Sequence, residues 1–155
     1  MIIPQLVDEV MSREVLSLTE DQDLQHLDQT MRLFKFRHMP VTENNRLIGL
    51  VTQRDVLRIS ASSLLPGARE QTELLTKAYR VRDIMTRDVT VVRPGALLTE
   101  AARMMHRGKL GCLPVVEADN RLVGILTESD FVRLALELLE DHAERADASP
   151  ARASS

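Results

Sequence analysis

Apolar and polar positions follow the same order twice along the chain. A short apolar run comes first, at residues 15–18 and 89–92, and apolar positions at helical spacing follow it. Two further apolar runs, separated by a turn rich in Asn and Asp, predict a hairpin in each half. A last helix is predicted where Thr52 and Thr127 stand three residues before an aspartate, since Thr-x-x-acid is typical of a capped helix start. Each half is therefore predicted to be a β-α-β-β-α unit.

The first helix of each unit carries an apolar stripe, which indicates packing against a core. In the second unit, Pro94 and Gly95 predict the start of this helix and Gly108 predicts its end. In the first unit, one of three polar residues is expected to cap the helix: Thr19, Asp21 or Asp23. The stripes consist of Leu24, Leu27, Met31 and Phe34 in the first unit and of Leu98, Ala101, Ala102 and Met105 in the second.

The similarity of the two halves extends to individual residues. Residues 45–55 match residues 120–130 at six of eleven positions, where average composition gives about half an identity by chance. The chain therefore contains two copies of one unit, at residues 7–60 and 80–137. A unit this small buries too little surface to be stable alone. The copies are expected to pack as one pseudo-twofold globule with related clefts between them.

Two segments lie outside the copies. Residues 61–79 are predicted to be a connector with a short helix, because Ser, Pro and Gly precede a stretch capable of forming a helix. Residues 143–155 are expected to be a disordered tail, since they hold few apolar side chains.

The candidate chemistry lies at Gly-x-x-Thr-x-x-Asp, which occurs once in each copy and ends at Asp55 and Asp130. A strand that leads into a helix start exposes backbone N–H groups, and these attract phosphate. The Thr hydroxyl can donate and accept a hydrogen bond, and the carboxylate can accept both hydroxyls of a ribose. The pattern thus suits a nucleoside ligand. Capping of the helix by the carboxylate is the alternative interpretation.

Composition argues against several classes of function. The net charge of −3 and the aromatic content of 3% argue against binding of nucleic acid or anionic membranes. Cys112 has no second cysteine to pair with, which fits a reducing compartment. The four histidines lack the spacing of a metal site and no nucleophile lies in a catalytic pattern, so no enzyme is predicted. Neither a membrane span nor a signal peptide is visible in the sequence, and a cytoplasmic protein is expected.

The duplicated unit resembles the cystathionine β-synthase (CBS) domain, and the pair resembles a stand-alone Bateman module. The matching features are Val-Met-Ser-Arg at 10–13, Ile-Met-Thr-Arg at 84–87, the apolar-Pro-Val strands, and Gly-x-x-Thr-x-x-Asp in both copies. The resemblance covers residues 7–60 and 80–137. It implies an α/β (α+β) fold of tandem β-α-β-β-α units, packed as a pseudo-twofold module, and pairing of two modules into a disc-like dimer.

The resemblance also implies which residues bind an adenosine-containing ligand. These are the hydroxyl residue after each Met, two residues shortly before each strand proline, the Thr and Asp of the repeated motif, and the residue before that Asp. They correspond to Ser12, Phe36, Arg37, Thr52, Arg54 and Asp55 in the first copy and to Thr86, Leu110, Gly111, Thr127, Ser129 and Asp130 in the second. One cleft is expected for each copy. Arg37 and Arg54 favour a polyphosphate in the first cleft, whereas Gly111 and Ser129 favour a less charged ligand in the second.

The function implied by the resemblance is that of a regulatory sensor, which binds AMP, ADP or ATP, requires no cofactor and acts on an effector protein. The alternatives are a dimerisation scaffold without a physiological ligand, a module for S-adenosylmethionine or an NAD-type molecule, and a detached regulatory subunit of an enzyme or transporter. A homodimer is predicted, because surplus apolar surface on the helices needs a cover. The residues expected there are Leu24, Leu27, Met31, Leu97, Leu98 and Met105.

Overall fold

The computed structural model describes residues 3–60, 74 and 76–147, in which two similar units follow each other. After a 3-10 turn at Val7–Glu9, the first copy contains α1 (Leu24–Phe34), β1 (His38–Glu43), β2 (Arg46–Thr52) and α2 (Gln53–Ser60). The second copy contains α3 (Val81–Ile84), α4 (Leu98–Gly108), β3 (Cys112–Val116), β4 (Leu122–Thr127) and α5 (Glu128–Asp147). The mixed fold of helices and small sheets predicted from the sequence is confirmed.

Each copy contains a two-stranded antiparallel hairpin, as predicted. Met39 lies opposite Val51 in β1–β2, Leu113 lies opposite Leu126 in β3–β4, and all four side chains are buried. Alternate residues of β2 and β4 enter the core, because successive side chains of a strand point to opposite faces. The hairpins therefore present one face to a core and end beside the N-termini of α2 and α5.

The apolar runs at residues 15–18 and 89–92 form shorter strands than the sequence predicts. Each run makes one parallel bridge to the hairpin of its own copy; these bridges are Leu18–Val41 and Val92–Val115. Other valines of the runs pack between the copies, against a buried cluster. The cluster consists of Leu47, Val116 and Leu122, and the valines packed on it are Val15, Val89 and Val91. The first strand is thus reduced to one residue pair in each copy, and valines of the same runs contact the junction of the two copies instead.

The first helices end as a matched pair. The residues after α1 and α4, Lys35 and Lys109, have φ values of 56° and 50°, in the left-handed region. Gly108, predicted to end the second helix, is its last helical residue, and the left-handed conformation falls on the lysine that follows. At the other end of α1, Asp23 accepts a hydrogen bond of 2.7 Å from the backbone N–H of His26, which identifies the cap among its three candidates.

Helix α4 starts later than the sequence predicts. It begins at Leu98 rather than at Pro94 or Gly95. The carbonyl of Pro94 accepts the N–H of Asp8, and the N–H of Leu98 binds the carbonyl of Gln5. The segment before α4 is therefore held by the N-terminal segment of the chain and does not continue the helix.

The N-terminal segment of each copy, residues 7–12 or 81–86, packs against the other copy, and we call these two stretches the crossing segments. Val7, Val10 and Met11 belong to a buried cluster with residues of α4, β3 and β4. Val81 and Met85 belong to the corresponding cluster with residues of α1, β1, β2 and α2. Each core is consequently completed by a crossing segment, and neither copy buries its apolar residues alone.

The interface residues predicted for a dimer are mostly used within the chain itself. Five of them are buried in the two cores, and only Leu97, at 47% exposed, faces solvent. For the five buried residues the prediction of an interface is therefore wrong, because they pack on the sheets of their own copies. The buried five are Leu24, Leu27, Met31, Leu98 and Met105.

The two segments outside the copies are described in part. Residues 76–78 are helical, and most of the predicted connector lies outside the described residues. Residues 143–147, predicted to start a disordered tail, form the last turns of α5 instead, and residues 148–155 lie outside the described part. None of the described helices combines the length and the apolar character needed to cross a lipid bilayer.

Candidate ligand-binding site

A cavity of about 330 Å³ lies between the two copies, and we refer to it as cleft 1. It brings together seven of the residues that the sequence assigned to ligand binding. Three come from the first copy and four from the second: Ser12, Phe36 and Arg37, and Gly111, Thr127, Ser129 and Asp130. The residues of the repeated motif therefore face residues of the other copy across this cleft.

The crossing segments produce this arrangement. Ser12 and Ile125 exchange two backbone hydrogen bonds of 3.0 and 2.9 Å, which bring the N-terminal segment of the first copy against β4. Gly124 lies under this segment, and a Cβ atom at position 124 would come within 2.4 Å of the Met11 sulfur. Gly is thus required here by the close approach of two chain segments, a reason that the motif alone does not reveal.

A second cavity, cleft 2, has a volume of about 410 Å³ and lies beside cleft 1. Its walls include Thr52 and Arg54, together with Arg37 and Gly111, which also line cleft 1. Arg37 reaches this position because its carbonyl accepts the N–H of Gln53 at the start of α2. The structure thus contains two clefts, as expected, but their residues are not divided by copy: Arg37 lines cleft 1 with Ser129 and cleft 2 with Arg54.

Three of the predicted site residues lie elsewhere. As far as the described residues form them, the walls of clefts 1 and 2 do not include Asp55, Thr86 or Leu110. Thr86 exchanges backbone hydrogen bonds with Leu50, as Ser12 does with Ile125. Leu110 packs against the core of the second copy, whereas Asp55 binds Thr52. The pseudo-twofold relation thus holds for the backbone better than for the cavities.

The repeated Thr and Asp form the same hydrogen bonds in both copies. The Oδ2 atom of Asp130 accepts the N–H of Thr127 at 2.8 Å and its hydroxyl at 2.9 Å. The Oδ2 atom of Asp55 accepts the corresponding groups of Thr52 at 2.8 and 2.7 Å. The capping geometry expected from the alternative interpretation is therefore present at both helix starts, and it occupies one oxygen of each carboxylate.

The other carboxylate oxygen distinguishes the two copies. Oδ1 of Asp130 accepts a hydrogen bond of 3.0 Å from Arg133, which also donates to the carbonyl of Val10 in the crossing segment. Oδ1 of Asp55 lies 3.9 Å from the exposed Arg58. Asp130 is 6% exposed, so its charge is held in place by three hydrogen bonds and not by water. A ribose in cleft 1 would meet a carboxylate whose orientation is already fixed.

The sequence did not single out several residues that line cleft 1. Phe34 stacks on Phe36 with ring centroids 5.7 Å apart, and both rings border the mouth of the cleft. His38 lines both clefts. The repeat did set His38 apart, because His38 and Cys112 occupy the same position of the two copies and differ in chemistry.

Burial shifts the pKa values of His38 and Cys112, which occupy the same position of the repeat. Burial lowers the pKa of His38 below its usual value, and the charge of Arg37 lowers it further. Burial raises the pKa of the Cys112 thiol to about 12, and its side chain lies within the core. The interpretation of Cys112 as a small buried hydrophobe is confirmed. Among the described residues, no group of three or more His, Cys, Asp or Glu side chains is arranged to hold a metal ion.

Comparison with known proteins agrees with this architecture. The structure matches that of a Vibrio cholerae protein with the provisional name acetoin utilization protein AcuB, with a TM-score of 0.75 and 36% identity over 92% of this chain and 98% of that one. It matches CBSX2 in complex with AMP with a TM-score of 0.73 and 30% identity, over 87% of this chain and 98% of that one.

A third relative is longer. Protein MJ1225 of Methanocaldococcus jannaschii is 30% identical over 135 residues, and the match covers 83% of this chain and 46% of that protein. The chain thus spans less than half the length of this relative. The sequence profile of the CBS domain matches the chain twice, at residues 7–62 and 81–137. With two matched copies and a CBS-pair fold, the chain belongs to the CBS domain family.

Proposed function

We propose that the chain is a regulatory module that binds an adenosine-containing ligand, namely AMP, ADP or ATP, in cleft 1. The observation that carries this proposal is the assembly of seven predicted ligand residues around one cavity formed by both copies. The structural match to CBSX2, which binds AMP and is 30% identical, supports the same class of ligand.

The walls of cleft 1 suit the parts of a nucleotide. Ser129 and Glu128 lie in the first turn of α5, where backbone N–H groups and the helix dipole favour a phosphate. Asp130 offers a charged acceptor to the ribose hydroxyls, and the ring of Phe36 offers an apolar surface to the base. Arg37, from the first copy, supplies a positive charge.

A second position is proposed at cleft 2, which Thr52 and Arg54 line. We assign it the lower affinity because Asp55, which belongs to the same motif as Thr52, is not among the residues that line it. The two positions are therefore expected to differ in occupancy at a given ligand concentration.

Regulation would act through the mutual arrangement of the copies. Cleft 1 is built from both copies, so a ligand that contacts both walls stabilises one arrangement relative to others. The shift is limited to the difference between the ligand's affinities for these arrangements. An effector protein that recognises one arrangement would sense the ligand, with this chain acting alone or as a detached subunit of an enzyme or transporter.

A homodimer is proposed from a surface other than the one the sequence indicated. Val132, Leu136 and Leu139 lie three or four residues apart on α5 and are all more than half exposed. This spacing places them on one face of the helix, a surface typical of helix pairing. Sedimentation of the full chain should show a dimer that Leu136→Glu dissociates; a parent chain that sediments as a monomer at micromolar concentration would contradict the proposal.

The test of ligand binding starts with thermal unfolding of the full chain in the presence of AMP, ADP, ATP, S-adenosylmethionine and NAD. A ligand that binds the native state alone raises the unfolding temperature. A rise with adenine nucleotides is expected. A rise with S-adenosylmethionine or NAD alone would favour the alternative ligand, and no rise with any of the five would favour the scaffold.

Asp130→Asn then tests the site itself, with Asp55→Asn as the matched control. Both substitutions alter the same Thr–Asp cap, but only Asp130 lines cleft 1. A charged hydrogen bond contributes about 1.5 to 3 kcal/mol, so Asp130→Asn should weaken binding about tenfold to a hundredfold in calorimetric titration. Asp55→Asn should leave the tight site unchanged. Equal binding by the parent and Asp130→Asn would refute the assignment of the ribose.

A further inference from the structure

His38 lies on the wall that clefts 1 and 2 share. It is the first residue of β1, and its ring rests against Gly111 of the second copy. A Cβ atom at position 111 would come within 2.5 Å of both Cε1 and Nε2 of the imidazole. The absence of a side chain at residue 111 therefore leaves the space that the imidazole occupies between the two clefts.

The charged groups beside His38 differ between the two clefts. Cleft 1 holds Lys35 and Arg37 together with the carboxylates of Glu14, Glu128 and Asp130, whereas cleft 2 is mostly cationic. Cleft 2 is lined by Arg37, Arg54 and Lys109, and Glu128 is the one carboxylate on its described wall. The charges that act on the imidazole come from Arg37, Glu128, Arg54 and Asp55, in decreasing order of effect. Within the described chain, no carboxylate lies at ion-pair distance from Arg37 or Arg54, so this wall carries an excess of positive charge.

The ring nitrogens of His38 can still form hydrogen bonds. In the described parts of the chain, neither of its ring nitrogens forms a hydrogen bond. Burial and the charges of Arg37 and Arg54 lower its pKa, against the opposite effect of Glu128 and Asp55, so the neutral ring is favoured. An anion bound against the ring would act in the opposite direction, because it offsets the charges of Arg37 and Arg54 and accepts a hydrogen bond from the protonated ring.

We propose that His38 is a specificity-determining residue shared by the two clefts, which takes up a proton from solvent when the phosphate groups of a nucleotide enter and then donates a hydrogen bond to them. The inference rests on the proposed function and concerns how the site tells a nucleotide from a nucleoside. Adenosine lacks the phosphate charge, so it leaves His38 neutral. The affinity for ATP relative to adenosine therefore increases as the pH falls from 7.5 to 6.

The experiment is a proton NMR titration of the four histidines in the full chain, free and saturated with ATP or with adenosine. The His38 signal is identified by its loss in His38→Gln. ATP is expected to raise the pKa of His38 by about one pH unit or more, since an opposite charge within hydrogen-bonding distance shifts a pKa by one to three units. Adenosine is expected to leave it unchanged, and His106, exposed on α4, serves as the internal control.

Calorimetric titration with ATP in two buffers of different ionisation enthalpy measures proton uptake on binding. It does not depend on the assignment of NMR signals. The parent and His106→Gln are expected to take up a proton that His38→Gln does not take up. An unchanged His38 signal at saturating ATP, or equal proton uptake by the parent and His38→Gln, would overturn the inference and leave the proposed function standing. Failure of the parent to bind any adenosine ligand would instead overturn the proposed function, and this inference with it.

Discussion

The close approach of Gly124 to the crossing segment gives a prediction that tests the architecture of cleft 1. In Gly124→Ala, the new methyl group would lie 2.4 Å from the Met11 sulfur, 3.1 Å from its Cγ atom and 3.1 Å from the carbonyl oxygen of Ser12. The sulfur can move only within a filled core, and the carbonyl is tied to Ile125 by a hydrogen bond. The substitution therefore has to displace the segment that carries Ser12 into the cleft.

The expected loss follows from the cost of overpacking. Extra methyl groups in a well-packed core cost about 1 to 3 kcal/mol. For a chain of 155 residues, each kcal/mol corresponds to about 2 to 4 °C, so Gly124→Ala should lower Tm by about 2 to 12 °C. Gly95→Ala is the matched control, because a Cβ atom at position 95 would have no heavy atom within 4 Å. Its Tm should stay level or rise slightly, since Ala restricts the unfolded chain.

A double-mutant cycle tests whether the loss of stability in Gly124→Ala comes from the contact between Met11 and Gly124. Met11→Ala alone should cost about 2 to 5 kcal/mol through the cavity that it leaves. Combined with Gly124→Ala, it removes two of the three close contacts, and the added methyl group fills part of the cavity. Urea unfolding should show the double variant to be more stable than the sum of the single losses, by about 1 kcal/mol or more. Strict additivity would refute the packing of Met11 on Gly124.

The remaining predictions concern single groups. Because the pKa of His38 is lowered in the folded chain, the unfolded chain binds its proton first as the pH falls; without ligand, stability should decrease below about pH 6.5, and His38→Gln should flatten this part of a urea-unfolding profile. Cys112, with a pKa of about 12 and a buried side chain, should resist alkylation by iodoacetamide at pH 8 until urea unfolds the chain. Arg133→Met, which removes the hydrogen bonds to Asp130 and Val10, should cost about 1 kcal/mol in urea unfolding, whereas Arg145→Met, on the exposed end of α5, should cost less than half of that. Truncation after Asp147 should leave Tm within about 1 °C of the parent, because the removed residues hold few apolar side chains; a larger loss would show that they dock.

The hairpins and the helix starts could be predicted because their causes are local. The alternation of β2 and the Thr-x-x-Asp start of α2 are written in consecutive residues, and the structure shows both. The cap at Asp23 was among three local candidates, and the hydrogen bond to His26 identifies it. Where neighbouring residues determine an element, the same element can be predicted at the matching position of the other copy.

The crossing could not be predicted, because it depends on contacts between distant residues. Met11 and Gly124 belong to motifs that were read as parts of separate copies, and nothing near either residue indicates that they meet. The same error assigned Arg37 and Ser129 to different clefts, whereas both line cleft 1. The prediction of the dimer interface was wrong for a related reason. A stripe such as Leu24, Leu27 and Met31 shows that one face of a helix is covered, but it does not show what covers that face.

The crossing segments also bear on how a chain of this kind can arise by gene duplication. A half-length chain that ended after α2 would carry Met11 without Gly124 and would leave Val81 and Met85 out of its core. Two such chains could complete each other by exchanging their N-terminal segments, as in a domain-swapped pair. A connector that joins them turns this exchange into an intramolecular event, with an effective concentration in the millimolar range. Fusion of the two genes then frees one half to diverge, so that His38 and Cys112 can occupy the same position while the paired halves still fold together.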